Sequence, residues 1–298
     1  MPLLLLLALV LTVGVVVGLV SWRYPRSTTS GPNSTMDAAR EVGETVRRHA
    51  RLRALLAARL NPETATGLAL TVAMIVVIAG GVVFAVLAYL IRSNAQLLGV
   101  DNGVAKWGNR HATATSTHVL NDLTQLGSIY PIIGLCVVLA IAETLRQRSV
   151  WVLLFIVSVM GGEEVLTLSV KQLADRVRPT FNPAAATLGP SFPSGHSATA
   201  AAFYATAALL IARWRPRPVR AVITGLAAGI AVGVAATRVL LDLHWLTDVV
   251  AGLSLGWAWF AVCAIAFGGR ILRFGATAET VAQAAEGTGS PGSRRAAA

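Results

Sequence analysis

Charged side chains are scarce in this chain. They make up 13% of its 298 residues, whereas 55% of the residues are hydrophobic. A typical soluble domain carries about 25% charged residues. The shortage therefore excludes an ordinary soluble domain and indicates a protein that folds in lipid.

Cysteines and clustered metal ligands are also lacking. The two cysteines, Cys136 and Cys263, fall inside apolar runs without a paired spacing, so we interpret them as packing residues. The acidic residues are scattered, and the five histidines lack the short spacings of zinc ligands. We therefore expect neither a metal nor a cofactor.

Long apolar runs, in contrast, are frequent. Each is close to the roughly 17 to 25 residues that cross a bilayer as a helix. The runs cover 1–20, 67–91, 126–142, 150–170, 197–212, 221–240 and 246–268. They predict an all-α, polytopic bundle of seven membrane helices.

The first run, 1–20, has no basic n-region and no Ala-x-Ala-like cleavage site, and positive charge follows it. We expect an uncleaved anchor, with a cleaved secretory signal as the alternative. Residues 27–34 are then predicted to be a polar linker. Residues 35–60 are predicted to be a basic helix, either lying on the inner leaflet or simply solvated. The tail 269–298 is predicted to be disordered.

Positive charge is distributed unevenly along the chain. A net charge of +11 would suggest a nucleic-acid partner in a soluble protein. If 21–66, 143–149, 213–220 and 269–298 are cytoplasmic, however, they hold 18 of the 25 Lys and Arg residues, as the positive-inside rule requires. We therefore expect a multi-pass protein of the cell (inner) membrane, in contact with membrane lipids and not with nucleic acid.

Three short polar segments stand at the ends of these runs on the predicted extracytoplasmic side. The first is Lys171-x6-Arg178-Pro179. Because proline disfavours helix at the residue before it, both cations are expected on one outer loop, where Arg supplies a planar fork and Lys a mobile charge for a phosphate dianion. A snorkelling lysine and an interfacial arginine are the alternative. We interpret the intervening Asp175 and Arg176 as solvated loop charges.

The second segment, Pro193-Ser194-Gly195-His196, stands at the start of an apolar helix. Free amide N–H groups and the positive end of the helix dipole favour an anion at such a place. Ser194 could cap the helix or donate to a phosphate oxygen, and Gly195 lets the backbone approach an anion closely. His196 fits either a general acid or a bystander at the membrane surface.

The third segment, Thr237-Arg238-x5-His244-x3-Asp248, lies between the last two spans. If 244–248 is helical, His244 and Asp248 face the same way. A carboxylate that fixes one ring nitrogen leaves the lone pair of the other free, as a nucleophilic or basic histidine requires. A helix-capping aspartate is the alternative. Taken together, in order and on one predicted face, the three segments indicate a single site for a phosphate ester.

Two further features lie near these segments. The outer segment 92–128 predicts either a lid or an interfacial helix anchored by Trp107. Glu163 and Glu164 lie inside the fourth span, and at least one should point into the bundle. That carboxyl group is expected to orient a cation, to be held protonated, or to make a structural hydrogen bond between helices.

The three segments resemble the signature of the type 2 phosphatidic acid phosphatase superfamily, which groups membrane lipid phosphatases with soluble acid phosphatases and vanadium haloperoxidases. The resemblance implies a six-helix phosphatase core over 67–268 and makes 1–66 an additional N-terminal anchor unit. Thr237 stands where the family usually has serine, and it keeps the hydroxyl group. A haloperoxidase is disfavoured because those enzymes are soluble.

The resemblance also implies a role for each motif residue. His244 would attack phosphorus to give a phosphohistidine, and Asp248 would hold its ring. His196 would protonate the leaving oxygen and later help to activate water. The equatorial phosphate oxygens would be bound by Lys171, Arg178, Ser194, Gly195 and Arg238.

The implied activity is metal-independent hydrolysis of a lipid phosphate or diphosphate at the extracytoplasmic face. Polyprenyl diphosphate, phosphatidic acid and phosphatidylglycerol phosphate stay open as substrates, and the sequence does not decide the oligomeric state. One alternative is a lipid phosphotransferase, in which an acceptor hydroxyl resolves the phosphohistidine. An alternative of another class is an inactive lipid-binding membrane protein.

The expected lack of a metal leads to a first prediction. Phosphate release from a lipid phosphate in detergent should continue in a chelator and stop with orthovanadate, which mimics five-coordinate phosphorus. Colorimetric determination of inorganic phosphate measures both effects. Loss of activity in the chelator, restored by magnesium, would contradict the metal-independent mechanism.

Overall fold

The described part of the chain is built of helices. The computed structural model describes residues 1–23, 65–93, 95–147 and 149–271. The predicted linker 27–34, the predicted basic helix 35–60 and most of the predicted tail lie outside the described residues. The helices within these ranges are α1 (Pro2–Arg23), α2 (Ala65–Ser93), α3 (Ala95–His111), α4 (Ala114–Thr124), α5 (Ile129–Gln147), α6 (Val150–Ala174), α7 (Gly195–Ala212), α8 (Arg217–Leu240) and α9 (Leu246–Ile271).

Seven of these helices, α1, α2 and α5 to α9, are long and apolar enough to cross a membrane. The described residues contain no strand. The predicted all-α, polytopic bundle is therefore confirmed, with α1 as the additional helix before six others. The third span begins at Ile129, a few residues later than predicted, because Gln125–Gly127 forms a 3₁₀ turn.

The centre of the bundle is α7, which contacts α5, α6, α8 and α9. Small side chains allow this close approach, since Ala200 and Ala201 are completely buried. The approach of α9 is equally close, because a Cβ atom on Gly252 would lie 2.5 Å from the carbonyl oxygen of Ser194. The start of α7 is thereby fixed against the start of α9.

The additional helix α1 packs antiparallel along α8. A Cβ atom on Gly14 would lie 3.1 Å from the carbonyl oxygen of Gly225, and one on Gly18 would lie 3.0 Å from that of Ala221. The amino-terminal end of α1 consequently lies beside the carboxyl-terminal end of α8, where Leu6 joins a buried apolar cluster with Leu241.

The outer segment 92–128 is mostly helical. It forms α3, α4 and the 3₁₀ turn, and both α3 and α4 contact α8. Trp107 stacks on His111 at the end of α3, with ring centroids 4.5 Å apart. Thr113 and Ser116 form a capping box that starts α4. The segment is therefore helical, and both the lid and the interfacial helix stay predictions for its role.

The contact between α1 and α8 leads to a prediction about stability. A Cβ atom on Gly225 would clash with the main chain of Gly14, whereas one on Gly134, in α5, would meet nothing within 4 Å. We expect Gly225→Ala to lower the thermal midpoint in detergent, because overpacking costs about 1–3 kcal/mol. Gly134→Ala is the matched control and should unfold like the wild type. Equal midpoints for the two variants would contradict this helix contact.

Candidate active site

The three predicted motif segments meet at one end of the bundle. Consecutive spans alternate in direction, so the carboxyl-terminal ends of α6 and α8 lie beside the amino-terminal ends of α7 and α9. Two connections close this end of the bundle: 175–194 joins α6 to α7, and 241–245 joins α8 to α9. The motif residues, distant in sequence, are thereby brought within electrostatic reach of one another.

The imidazole of His244 lies between a cation and a carboxylate. Its Nε2 atom is 3.0 Å from Nη1 of Arg178. A guanidinium group has no acceptor, so Nε2 must carry the lone pair and Nδ1 the proton. Nδ1 lies 3.5 Å from Oδ2 of Asp248, at the outer limit of a hydrogen bond. The tautomer is therefore the one that a nucleophilic Nε2 requires.

The backbone of the turn places His244 in this position. The N–H groups of Leu243 and His244 both donate to the carbonyl oxygen of Arg238, at 3.1 Å each. Helix α9 begins only at Leu246, so the condition that 244–248 is helical holds for 246–248 and not for the first two residues. The two side chains still face each other, because Asp248 lies in the first turn of α9 and its Oδ2 accepts from the backbone N–H of Trp245 at 3.0 Å.

Burial controls the charge of His244. The side chain is almost completely buried, and burial lowers the pKa of His244 to about 4. Asp248 opposes this shift, while Arg178 and Arg238 add to it. His244 is therefore neutral at physiological pH, with its lone pair available.

Arg178 and Lys171 donate to main-chain oxygens of the connection between α6 and α7, and Arg178 also donates to one of the connection between α8 and α9. Nε of Arg178 donates to the carbonyl oxygen of Gly189 at 2.8 Å, and Nη1 donates to that of Leu243 at 2.6 Å. Nζ of Lys171 donates to the carbonyl oxygen of Pro190 at 3.0 Å. Nη2 of Arg178 reaches the same Pro190 oxygen at 3.3 Å. Burial lowers the pKa of Arg178, yet the group stays charged at neutral pH.

Arg238 and His196 are held by the connection between α4 and α5. Nη1 of Arg238 donates to the hydroxyl of Thr124 at 3.2 Å. Nε2 of His196 lies 3.2 Å from the hydroxyl of Ser128, which itself donates to Gln125 at 2.9 Å. The hydroxyl proton of Ser128 is already donated to Gln125. The Ser128 oxygen therefore accepts the hydrogen bond from His196, and Nε2 of His196 carries the proton. Thr124 and Ser128 were not predicted as site residues, since nothing in their local sequence marks them.

Ser194 and Gly195 begin α7 as predicted, but Ser194 does not cap the helix through its side chain. Its hydroxyl is completely buried and accepts from Ser197 at 2.9 Å. Its backbone N–H donates to the carbonyl oxygen of Asp248 at 3.0 Å. A Cβ atom on Gly195 would lie 4.0 Å from Cε of Lys171, so the lysine side chain passes next to the start of α7.

The interpretation of Arg176 as a solvated loop charge was wrong. Arg176 is buried, and its guanidinium pairs with Asp248 at 2.5 Å and with Asp101 of α3 at 2.7 Å. Asp175 is exposed, as predicted, and its left-handed backbone (φ 41°) ends α6 and redirects the chain. In extended backbone, side chains two residues apart face the same side. The spacing Arg176-x-Arg178 was therefore the signal in the sequence that Arg176 could face the site on the same side as Arg178.

Glu163 makes the hydrogen bond between helices that was one of the roles expected for it. Its carboxyl group is completely buried and accepts from the hydroxyl of Thr167 at 2.8 Å and from that of Thr199, in α7, at 3.2 Å. It therefore links α6 to α7 below the site.

Two further observations bear on ligands. No group of three or more His, Cys, Asp or Glu side chains converges within the described ranges. A cavity of about 410 Å³ opens beside Arg178 and is lined by side chains of the segment 175–190. The site is therefore built of cations, imidazoles and a carboxylate, a set that binds and activates a phosphoryl group by charge.

The comparisons with known proteins agree with this geometry. A family model described as the PAP2 superfamily matches residues 149–271. Phosphatidylglycerophosphatase B of Bacillus subtilis is 32% identical over 175 residues, which cover 58% of this chain and 85% of that protein. Lipid A 1-phosphatase of Rhizobium johnstonii is 44% identical over 72 residues, which cover 24% of this chain and 25% of that protein.

The fold has a solved counterpart. The crystal structure of a transmembrane PAP2 type phosphatidylglycerolphosphate phosphatase from Bacillus subtilis matches with a TM-score of 0.62 and 28% identity. The match covers 67% of this chain and 99% of that one. Since the family model spans all three motif segments and the curated relative is matched over most of its length, the chain belongs to the PAP2 superfamily, as its motifs predicted.

Proposed function

We propose that this chain hydrolyses a lipid phosphate monoester at the extracytoplasmic face of the cell membrane, through a phosphohistidine on His244. Its family and its phosphatase relatives make it a lipid phosphatase of the PAP2 type. The observation that carries the mechanism is the setting of His244. Its Nε2 lone pair faces the Arg178 guanidinium at 3.0 Å, and its Nδ1 proton faces Asp248.

In the first step the Nε2 lone pair of His244 forms a bond to phosphorus, and the bond from phosphorus to the ester oxygen breaks. Asp248 stabilises the positive charge that develops on the ring. His196 enters this step as an imidazolium, a form that the bound phosphate dianion favours, and gives a proton to the departing lipid oxygen, which leaves as an alcohol. The product is a phosphohistidine and a neutral His196.

In the second step water attacks the phosphohistidine. His196, now neutral, takes the proton of the water as the new bond from oxygen to phosphorus forms. The bond from Nε2 to phosphorus breaks, and the electron pair returns to His244. Inorganic phosphate leaves, and both histidines are again as they were at the start.

The cations supply most of the stabilisation in this mechanism. Lys171, Arg178 and Arg238 lie within electrostatic reach of one another, so we assign the equatorial oxygens to the space between them, and Gly195 offers a backbone N–H at the start of α7. Charge on these oxygens is stabilised most where water is excluded, and Arg178 and Arg238 are largely buried. Ser194 contributes a hydroxyl that is held by Ser197.

The distribution of charge supports an extracytoplasmic site. By sequence, 18 of the 25 Lys and Arg residues fall in the segments predicted to be cytoplasmic, and the described helix ends that border these segments lie opposite to the site. The antiparallel contact of α1 with α8 places the amino terminus at the same end as Arg238, in agreement with the predicted orientation.

Phosphatidylglycerol phosphate is the substrate that we propose first. The Bacillus subtilis relative, by its name, is a phosphatidylglycerophosphatase, and it is matched along 85% of its length. A phosphate monoester also suits a site with three cations and a single attacking histidine.

The test of substrate and nucleophile is phosphate release from phosphatidylglycerol phosphate, phosphatidic acid and a polyprenyl diphosphate in detergent. We expect the first to have the highest kcat/KM. His244→Ala should lower activity by at least about a thousandfold, because it removes the nucleophile. With ³²P-labelled substrate, quench-flow into alkaline detergent should reveal a phosphoprotein in the wild type, stable in base and lost in acid, and none in His244→Ala.

The matched control is His118→Ala, since His118 is an exposed histidine of α4. This variant should keep wild-type activity and label. A label that persists in His244→Ala would contradict the assignment of the nucleophile. A clear preference for the diphosphate would contradict the proposed substrate and leave the nucleophile unaffected.

A second prediction concerns protonation. Since the pKa of His244 is lowered to about 4, the ring should stay neutral from pH 8 down to about pH 5 and gain its proton only below that. With five histidines in the chain, ¹⁵N labelling of histidine gives a tractable NMR spectrum in detergent. The His244 signals are assigned by their loss in His244→Gln. A midpoint near 6.5 would contradict a buried neutral imidazole.

A further inference from the structure

Arg176, which is not one of the predicted motif residues, bridges two buried carboxylates. Nη1 lies 2.5 Å from Oδ1 of Asp248 and 2.7 Å from the hydroxyl of Thr247. Nη2 lies 2.7 Å from Oδ2 of Asp101. Asp101 is 1% exposed and Asp248 is not exposed at all. These three charged groups therefore interact with little screening by water.

The two oxygens of Asp248 have different partners. Oδ1 accepts from Arg176, while Oδ2 accepts from the backbone N–H of Trp245 and faces Nδ1 of His244. The plane of the carboxylate is thus fixed from both sides. Arg176 holds the oxygen that His244 does not use, so a change at Arg176 would rotate the oxygen that His244 does use.

Asp101 completes this arrangement from α3. Its Oδ1 accepts from the backbone N–H of Thr247 at 3.0 Å, and its Oδ2 accepts from the hydroxyl of Thr247 at 2.7 Å. Asp101 therefore places a negative charge at the amino-terminal end of α9, where the helix dipole favours it. It also balances the charge of Arg176. Helix α3, which is not one of the membrane-spanning helices, thus contacts Thr247, the residue next to Asp248.

We propose that Arg176 and Asp101 are positioning residues, which together hold the Asp248 carboxylate in the orientation that His244 needs. The inference rests on the proposed function, in which His244 is the nucleophile. Neither residue touches the phosphoryl group. Both act through Asp248, so their effect is on the rate of attack rather than on substrate binding.

If the proposal is correct, removing Arg176 and removing Asp101 should shift the protonation of His244 in opposite directions. The charged groups facing His244 are Asp248 from α9, Arg178 from the connection 175–194 and Arg238 from α8, and His196 from α7 also interacts with it. Removing Arg176 leaves the negative charge of Asp248 unbalanced, which favours the imidazolium form. Removing Asp101 leaves the positive charge of Arg176 unbalanced, which disfavours the imidazolium form of His244.

The experiment combines kinetics with the histidine NMR titration in four variants. We expect Arg176→Gln to raise the His244 midpoint by about one pH unit and Asp101→Asn to lower it by a comparable amount. In the double variant Asp101→Asn/Arg176→Gln the local net charge returns to that of the wild type, so the midpoint should return as well. Arg176→Lys, which keeps the charge, should leave the midpoint near the wild-type value.

The kinetic measurements test whether the Asp248 carboxylate keeps its orientation. In both single variants kcat should fall on the order of a hundredfold with little change in KM, because small displacements at the reacting atoms are costly. The double variant should stay slow although its midpoint returns, because charge alone does not orient the carboxylate. Asp175→Asn is the matched control: it removes an exposed carboxylate from the same connection and should change neither quantity.

Folding is followed separately by thermal unfolding and by size-exclusion chromatography in detergent. If Arg176→Gln fails to fold because it leaves two buried carboxylates unpaired, the double variant and Asp101→Asn decide the outcome. Shifts in the same direction for the two single variants, or wild-type kcat in either folded variant, would overturn the proposal.

The experiment distinguishes a failure of this inference from a failure of the proposed function. If His244→Ala abolishes the activity while Arg176→Gln and Asp101→Asn behave like the wild type, the positioning role fails and the nucleophile stands. If His244→Ala keeps its activity, the proposed function fails first.

Discussion

The structure depends on the need to pair every charge at the end of an apolar bundle. In that setting an unpaired cation is costly, and each cation of the site has an oxygen or a ring nitrogen as partner. The pairing of Arg178 with Nε2 of His244 is the central case, because it fixes the tautomer of the ring. The ring of His244 then has a single N–H group, at Nδ1, which faces the Asp248 carboxylate, and the remaining charges are arranged around this pair.

The sequence was sufficient for the fold and for most of the site. Seven apolar runs predict the spans because length and hydropathy alone decide whether a helix crosses a bilayer. The three motif segments could be placed at one end because alternating spans bring their ends together. What the sequence could not provide is the direction of individual side chains in irregular segments. Arg176 was misinterpreted for this reason: its burial depends on the left-handed residue Asp175 and on Asp101, whose partner lies 75 positions away in the chain.

The contribution of the segment between the second and third spans was hidden for a similar reason. Asp101, Thr124 and Ser128 hold Arg176, Arg238 and His196, respectively. Asp101 and Thr124 are common polar residues of short helices, and Ser128 lies in the bend after the 3₁₀ turn; at such positions solvation is the ordinary expectation. Only the packing of α3 and α4 against α8 turns them toward the site. A sequence pattern within a single helix cannot contain that information.

The carbonyl oxygens around Arg178 affect the affinity of the site for a ligand. Its guanidinium donates to the carbonyl oxygens of Leu188, Gly189, Pro190 and Leu243. A ligand oxygen that enters must exchange with these main-chain acceptors, so the number of hydrogen bonds hardly rises. The net gain then comes from replacing neutral acceptors by anionic ones, and it grows with the negative charge of the ligand. Such an exchange favours binding of the most highly charged species along the reaction path over binding of the unreacted ester or of an uncharged lipid headgroup.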